Sequence, residues 1–172
     1  MTRRSHRYGI LLAATTLLLG SACSNDQPGG KDAPLETKSE AEVEAVARSQ
    51  ADSIAALAGG PLEDWHTNTT ACQGRNGETA DDGRWDLAGF AHVKLPADKH
   101  AAALHTIHDK WQTQGWQINA FQVQDDGGVL SGRDPKTGLS ITLSSSKPPI
   151  QIAVTVGSPC YQPVQGEDPA NN

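Results

Sequence analysis

Three histidines in one predicted helix have the clearest potential for chemistry. His100, His105 and His108 lie between Pro96 and Gly115, and the last two are three residues apart, which makes them neighbours on a helix surface. Imidazole nitrogens bind Zn²⁺ and Cu²⁺ well. The chain has no H-E-x-x-H motif, however. Two interpretations therefore stand: a zinc or copper site, or an amphipathic helix with ordinary histidines at the edge of the core.

Aromatic residues offer a second candidate, a ligand platform. Trp65 and His66 are adjacent in a segment without clear periodicity, so they are the more open candidates for stacking against a ligand. Trp111 and Trp116 instead fall at positions that face the core in the predicted elements. We interpret these two as core residues.

Patterns for catalysis or a bound cofactor are absent from the sequence. The run of serines at 144–146 precedes a Pro-Pro turn and does not form a G-x-S-x-G elbow. The acidic residues Glu78, Asp81 and Asp82 do not follow the twelve-residue calcium-loop pattern. We therefore expect no enzyme activity and no cofactor.

The first 22 residues have the features of an export signal that ends at a cysteine. Arg3, Arg4 and Arg7 form a basic start, residues 9–20 are apolar but too short to span a bilayer, and small residues lead into Cys23. This pattern predicts a lipoprotein signal over residues 1–22 and lipidation of Cys23, with palmitate-type acyl chains. An ordinary secretory signal cut after Ala22 is the alternative.

The number of cysteines favours lipidation. Simple secretion would leave Cys23, Cys72 and Cys160, an odd number. Lipidation of Cys23 leaves one pair, and an oxidising compartment favours a disulfide between Cys72 and Cys160. A redox function is the alternative, but the sequence contains no C-x-x-C motif. We interpret the pair as structural.

Charge and composition limit the partners. The chain has 14 basic and 20 acidic residues, and three of the basic ones lie in the signal, so the mature chain carries a formal net charge of −9. Such a balance argues against nucleic acid, which requires a basic surface. Residues 23–36 are rich in Pro, Gly and charged residues, which is typical of a flexible tether. Residues 161–172 have a similar composition, and we expect a disordered tail there.

The region between tether and tail, residues 37–160, predicts one domain. Ser39 and Glu42 form a capping box for a first helix that ends at Gly59. Residues 61–84 resemble a loop. A strand follows over 85–94, then the second helix, then strands over 116–124, 129–133, 139–144 and 150–156. The order α-β-α-β-β-β-β with short connections predicts an α+β two-layer sandwich, in which an antiparallel sheet carries the helices on one face and one disulfide closes the domain.

Several of these features resemble a known group. The cysteine in Cys72-Gln73-Gly74, the helix end at Gly115-Trp116, the strand that leads from Gly138 to Leu143, and Ser158-Pro159-Cys160 resemble small actinobacterial envelope lipoproteins, including the mycobacterial LppA-like group. The resemblance implies a location on the outer face of the cytoplasmic membrane, and it implies no activity and no catalytic residues. We expect a non-enzymatic binding module anchored in the bilayer by its acyl chains, with another envelope protein as partner. A metal-binding or small-solute-binding lipoprotein is the alternative.

Overall fold

The computed structural model describes residues 35–74, 76–124, 127–146 and 150–171. They form two helices, α1 and α2, eight strands and two short 3-10 turns. In chain order these are β1 (Thr37–Lys38), α1 (Glu40–Ala58), β2 (Leu62–Ala71), β3 (Trp85–Lys94), a turn at Ala97–Lys99, α2 (His100–Thr113), β4 (Gln117–Gln124), β5 (Gly127–Arg133), β6 (Ser140–Ser146), β7 (Gln151–Gly157), β8 (Gln162–Pro163) and a turn at Pro169–Asn171. The predicted signal, Cys23 and most of the tether lie outside the described residues.

The main sheet has six antiparallel strands in the order β2-β3-β7-β6-β5-β4. Strands β4 to β7 pair with their neighbours along the chain, so the predicted meander is confirmed. The α+β fold with one antiparallel sheet and one disulfide is confirmed with it. Strand β7 also pairs with β3, so both of these strands lie inside the sheet, and β2 and β4 form its two edges.

Both helices pack on one face of this sheet, and the core lies between the two layers. In α1 the buried residues Val43, Ala47, Ala51 and Ile54 recur at helical spacing. Along β3 the side chains alternate strictly, because every second residue faces the helices. We call this side of the sheet the inner face and the opposite side the outer face.

The predicted limits of α1 are confirmed by its caps. The Ser39 hydroxyl accepts a hydrogen bond from the backbone N–H of Glu42 at 3.2 Å. At the other end Gly59 has φ of 79°, and its N–H donates to the carbonyl of Ala55. A left-handed residue at this position satisfies carbonyls of the last turn, and glycine adopts that conformation without steric cost.

The prediction of a loop over residues 61–84 is wrong for its first half, which is strand β2. The sequence of β2 is mostly polar, since the strand lies at the edge of the sheet and only its inner side chains meet the core. A bulge between Glu63 and His66 also interrupts the alternation. Asp64 within it has φ of 57°. An irregular polar edge strand lacks the period of two on which the prediction depended.

The C-terminal segment also differs from the prediction of a disordered tail over 161–172. Tyr161 is only 6% exposed, and its ring lies 5.8 Å from the buried ring of Trp85. Strand β8 pairs in parallel with β1, and the final turn packs on β2. The polar composition of this segment concealed one aromatic anchor, which is enough to attach it to the core.

The disulfide between Cys72 and Cys160 is formed, with 6.1 Å between the Cα atoms and 88 residues of sequence separation. Cys72 follows β2, and Cys160 lies between β7 and β8. The bond therefore joins the edge strand to the start of the C-terminal segment.

Candidate functional site

The three predicted histidine ligands do not come together. His100 is fully buried on the stripe of α2 that faces the sheet, and its Nε2 lies 2.9 Å from the carbonyl oxygen of Leu95. His105 and His108 lie on another side of the helix, against the ring of Phe121, with ring centroids 5.1 and 3.9 Å from it. The reason is the helical period: at about 100° per residue, position 100 is separated from 105 and 108 by roughly 140° and 80°.

Trp65 and His66 are also separated, because they point to opposite faces of β2. Trp65 lies half-buried on the inner face, and the centroid of its ring is 5.8 Å from the guanidinium carbon of Arg48. It packs so closely on Gly89 that a Cβ there would stand 2.6 Å from the indole ring. His66 is exposed on the outer face and stacks on Phe90 at 5.3 Å. The two residues therefore do not form one ligand platform.

The outer face is the most extended candidate surface. Its middle row runs across all six strands through cross-strand partners, from β2 to β4: His66, Phe90, Thr155, Thr142, Ser131 and Ala120. The hydroxyl groups of Ser131 and Thr142 are 3.2 Å apart. Phe90 is 36% exposed although its neighbours in sequence on β3 are more buried. This row therefore presents an aromatic pair and a set of hydroxyls without a formal charge.

One end of this row lies beside the bulge of β2. Asp64 adopts a left-handed conformation, which costs a non-glycine residue energy and is found preferentially at functional positions. Its carboxylate lies 3.7 Å from Nδ1 of His92, a buried nitrogen without a hydrogen-bond partner among the described residues. The bulge thus sets both the direction of His66 and the position of a charge near His92.

A cleft of about 400 Å³ lies between the start of α1 and the turn from β5 to β6. Lys38, Arg133 and Lys136 line it together with apolar residues such as Val46. The Lys38 amine donates to the Glu42 carboxylate at 2.9 Å, and this bond, with the charges of Glu42 and Glu36, raises the pKa of Lys38. Glu36 and Glu42 also line the cleft, so it combines charged groups of both signs with apolar walls, which suits a small polar solute.

The turn that forms one wall of this cleft is held by Asp134, a buried carboxylate. It accepts hydrogen bonds from the backbone N–H of Lys136 and the hydroxyl of Thr137, each at 2.9 Å. A second cleft of about 500 Å³ lies between α1 and α2 on the other side of this turn. Trp111 and Trp116 stack at its base with ring centroids 4.2 Å apart, as core residues.

A third candidate arises where β2, β3 and the C-terminal segment meet. Cys72, Cys160 and Asp86 bring two sulfur atoms and a carboxylate oxygen within 4.8 Å of one another. Burial raises the pKa of Asp86, and the Thr70 hydroxyl donates to one of its oxygens at 2.8 Å. The sequence did not reveal this group, because Asp86 becomes a neighbour of Cys72 only through the pairing of β3 with the unpredicted strand β2.

The acidic stretch at 78–82 does not act as one cluster. Glu78 accepts a backbone N–H within its own turn, and Asp82 binds the buried guanidinium of Arg84, whose Nε lies 2.8 Å from Oδ1. Hydrogen bonds from Arg84 lower the pKa of Asp82 well below its usual range. This pair anchors the loop before β3.

The low pKa of Asp82 predicts a specific acid sensitivity. A carboxyl group whose pKa is lower in the folded state stabilises the fold at pH values above its unfolded pKa of about 4, and this contribution is lost as the pH falls below that value. We expect Asp82→Asn to lose less stability than the parent between pH 7 and pH 3 in urea unfolding. The matched control is Asp81→Asn, at an exposed neighbour. An equal acid loss in the parent and Asp82→Asn would contradict this assignment.

Comparisons with protein-family models, with curated proteins and with solved structures gave no match for this chain. Among the residues that the structure describes, no helix has the length and apolar character needed to cross a bilayer.

Proposed function

We propose that this protein is a lipoprotein of the cell envelope whose domain acts as a non-enzymatic binding module, and that the outer face of its sheet is the docking surface. One observation supports this proposal above the others. The helices cover one face of the six-stranded sheet, while the opposite face exposes an uncharged row with Phe90 in it.

The charge distribution favours a protein partner on this surface. The mature chain carries a net charge of −9, yet the middle row of the outer face contains no acidic or basic side chain other than His66. A neutral patch inside an acidic surface can be desolvated without leaving a charge unpaired. Aromatic residues at the centre of such patches contribute much of the binding energy in protein interfaces.

The anchor and tether complete the proposal. Acyl chains on Cys23 would hold the protein at the outer leaflet of the cytoplasmic membrane, since two or three chains suffice for stable attachment. A flexible segment of about a dozen residues reaches roughly 20 Å. The domain would therefore meet partners that are themselves membrane proteins or lie close to the membrane.

Site-specific photocrosslinking in intact cells tests the docking surface. A benzophenone amino acid placed at Phe90 keeps an aromatic ring there, and the same probe at Ser49, on the exposed side of α1, is the matched control. We expect one dominant protein adduct from position 90, absent from position 49. The same probe in a Cys23→Ala background should lose the adduct, because the protein leaves the membrane fraction.

Two results would contradict the proposal. Identical adduct patterns from positions 90 and 49 would exclude the outer face as a specific surface, and retention of the Cys23→Ala variant in the membrane fraction would exclude the lipid anchor. The cleft beside Arg133 supports a second candidate function, the binding of a small polar solute. A ligand-dependent rise in melting temperature, without any adduct from position 90, would favour that function.

A further inference from the structure

We propose that the dithiol form of this domain binds a thiophilic divalent cation, with Zn²⁺ as the expected ion, through the sulfur atoms of Cys72 and Cys160 and a carboxylate oxygen of Asp86. The disulfide form and the metal-bound form are then alternative states of one site. This inference is independent of the docking surface, because it depends on other residues.

The geometry of the three groups carries the inference. Their donor atoms already lie within 4.8 Å of one another. Zinc bonds of about 2.3 Å to sulfur and about 2.1 Å to oxygen place tetrahedral ligand atoms roughly 3.5–3.8 Å apart. Once the disulfide is reduced, the two sulfurs need only move apart by rotation about their side-chain bonds, since the Cα atoms are 6.1 Å apart.

The surroundings also fit a metal site. Thr70 lies opposite Asp86 in the β2–β3 ladder, and its hydroxyl donates to one carboxylate oxygen. Hydrogen bonds of this kind orient the carboxylates that bind metals in proteins. The backbone N–H of Cys72 donates to the carbonyl of Arg84 at 3.1 Å, so the first cysteine is fixed by the fold. Cys160 and Asp86 are only partly buried, which leaves a path for the ion and a fourth position for water.

The dithiol form needs no added reductant, because it precedes disulfide formation. An exported chain arrives with free thiols, and Zn²⁺ binding releases two protons as both become thiolates. A protein disulfide of an envelope oxidase then accepts two electrons from the thiolates. The Cys72–Cys160 bond forms, the oxidase disulfide takes up two protons to become two thiols, and Zn²⁺ leaves.

Cobalt spectroscopy on the full chain tests the site directly. The Cys23→Ala protein, reduced with a phosphine and kept without oxygen, is titrated with Co²⁺ alone. We expect a thiolate-to-cobalt charge-transfer band in the near ultraviolet with the intensity of two thiolates, tetrahedral d–d bands in the visible, and loss of both on addition of Zn²⁺.

Variants assign the ligands. Asp86→Asn should weaken Co²⁺ binding at least tenfold, whereas Asp81→Asn, at an exposed carboxylate in the preceding loop, should bind like the parent. Circular dichroism of each oxidised variant shows that its fold is intact. An Asp86→Asn protein that binds Co²⁺ as tightly as the parent would overturn the site. A reduced parent that gives no charge-transfer band, folded or unfolded, would overturn it as well.

Discussion

Replacing Cys72 and Cys160 together by alanine should lower the free energy of unfolding by about 4–5 kcal/mol. The bond closes a loop of 88 residues that contains β3, α2 and the whole meander. In the chain-entropy model, the cost of closing such a loop falls on the unfolded state, so removal of the bond stabilises the unfolded chain. A loss of this size is a large fraction of the total stability of a domain this small.

Urea unfolding in a Cys23→Ala background, with a chelator present, measures this loss. The phosphine-reduced parent should unfold at nearly the same midpoint as the double alanine variant, because both lack the cross-link. Cys72 is 3% exposed, so alanine there also removes some packing, and the reduced parent separates the two effects. If the double alanine variant and the oxidised parent have the same midpoint, the disulfide does not stabilise the domain by reducing the entropy of the unfolded chain, and the prediction is wrong.

The sequence was sufficient for the parts of the fold where local preference and burial agree. The caps at Ser39 and Gly59 fixed the limits of α1, and the alternation of Ile152, Val154 and Val156 identified β7. The signal of β7 is strong because one of its faces is buried against the helices, so a shift by one residue would expose the apolar set.

Strand β2 could not be predicted, because it lies at the edge and meets the core with few apolar side chains. Its position depends on pairing with β3 over eight registered positions and on the bulge at Asp64. Pairing between strands is a property of the tertiary structure, and neither the period nor the propensity of a polar edge strand reports it.

The candidate sites also differ in whether local sequence or tertiary pairing determines them. The spacing of His105 and His108 predicted their proximity, and both contact Phe121. Phe90 lies in the sequence between Gly89 and Ala91, out of phase with the apolar residues Leu87 and Val93, and this was the available signal for the outer face. Asp86 gave no signal, because its contact with Cys72 and Cys160 follows from pairing with β2 and from the path of the C-terminal segment.

Ending the chain after Cys160 should lower the free energy of unfolding by roughly 3–5 kcal/mol, the usual cost of losing a buried aromatic side chain. Tyr161 contributes this contact: its ring packs against Trp85, and its backbone exchanges two hydrogen bonds with Trp85 at 2.8 and 3.0 Å. Removal would leave the indole of Trp85, the largest fully buried side chain among the described residues, open to water.

A second truncation, after Val164, separates this anchor from the rest of the segment. It keeps Tyr161 and the β8 pairing with β1, and it removes Glu167, whose carboxylate accepts the backbone N–H of Glu40 at 3.1 Å. We expect a smaller loss, because an exposed hydrogen bond contributes about 1 kcal/mol and the final turn buries only the small side chains of Pro169 and Ala170 in place of an aromatic ring. If the full chain and the chain ending at Cys160 have the same urea midpoint, the segment does not contribute to stability, and the disordered tail predicted from composition would be supported instead. If most of the loss in urea midpoint occurs between the chain ending at Val164 and the chain ending at Cys160, the single aromatic residue Tyr161, next to the disulfide, joins the segment to the core.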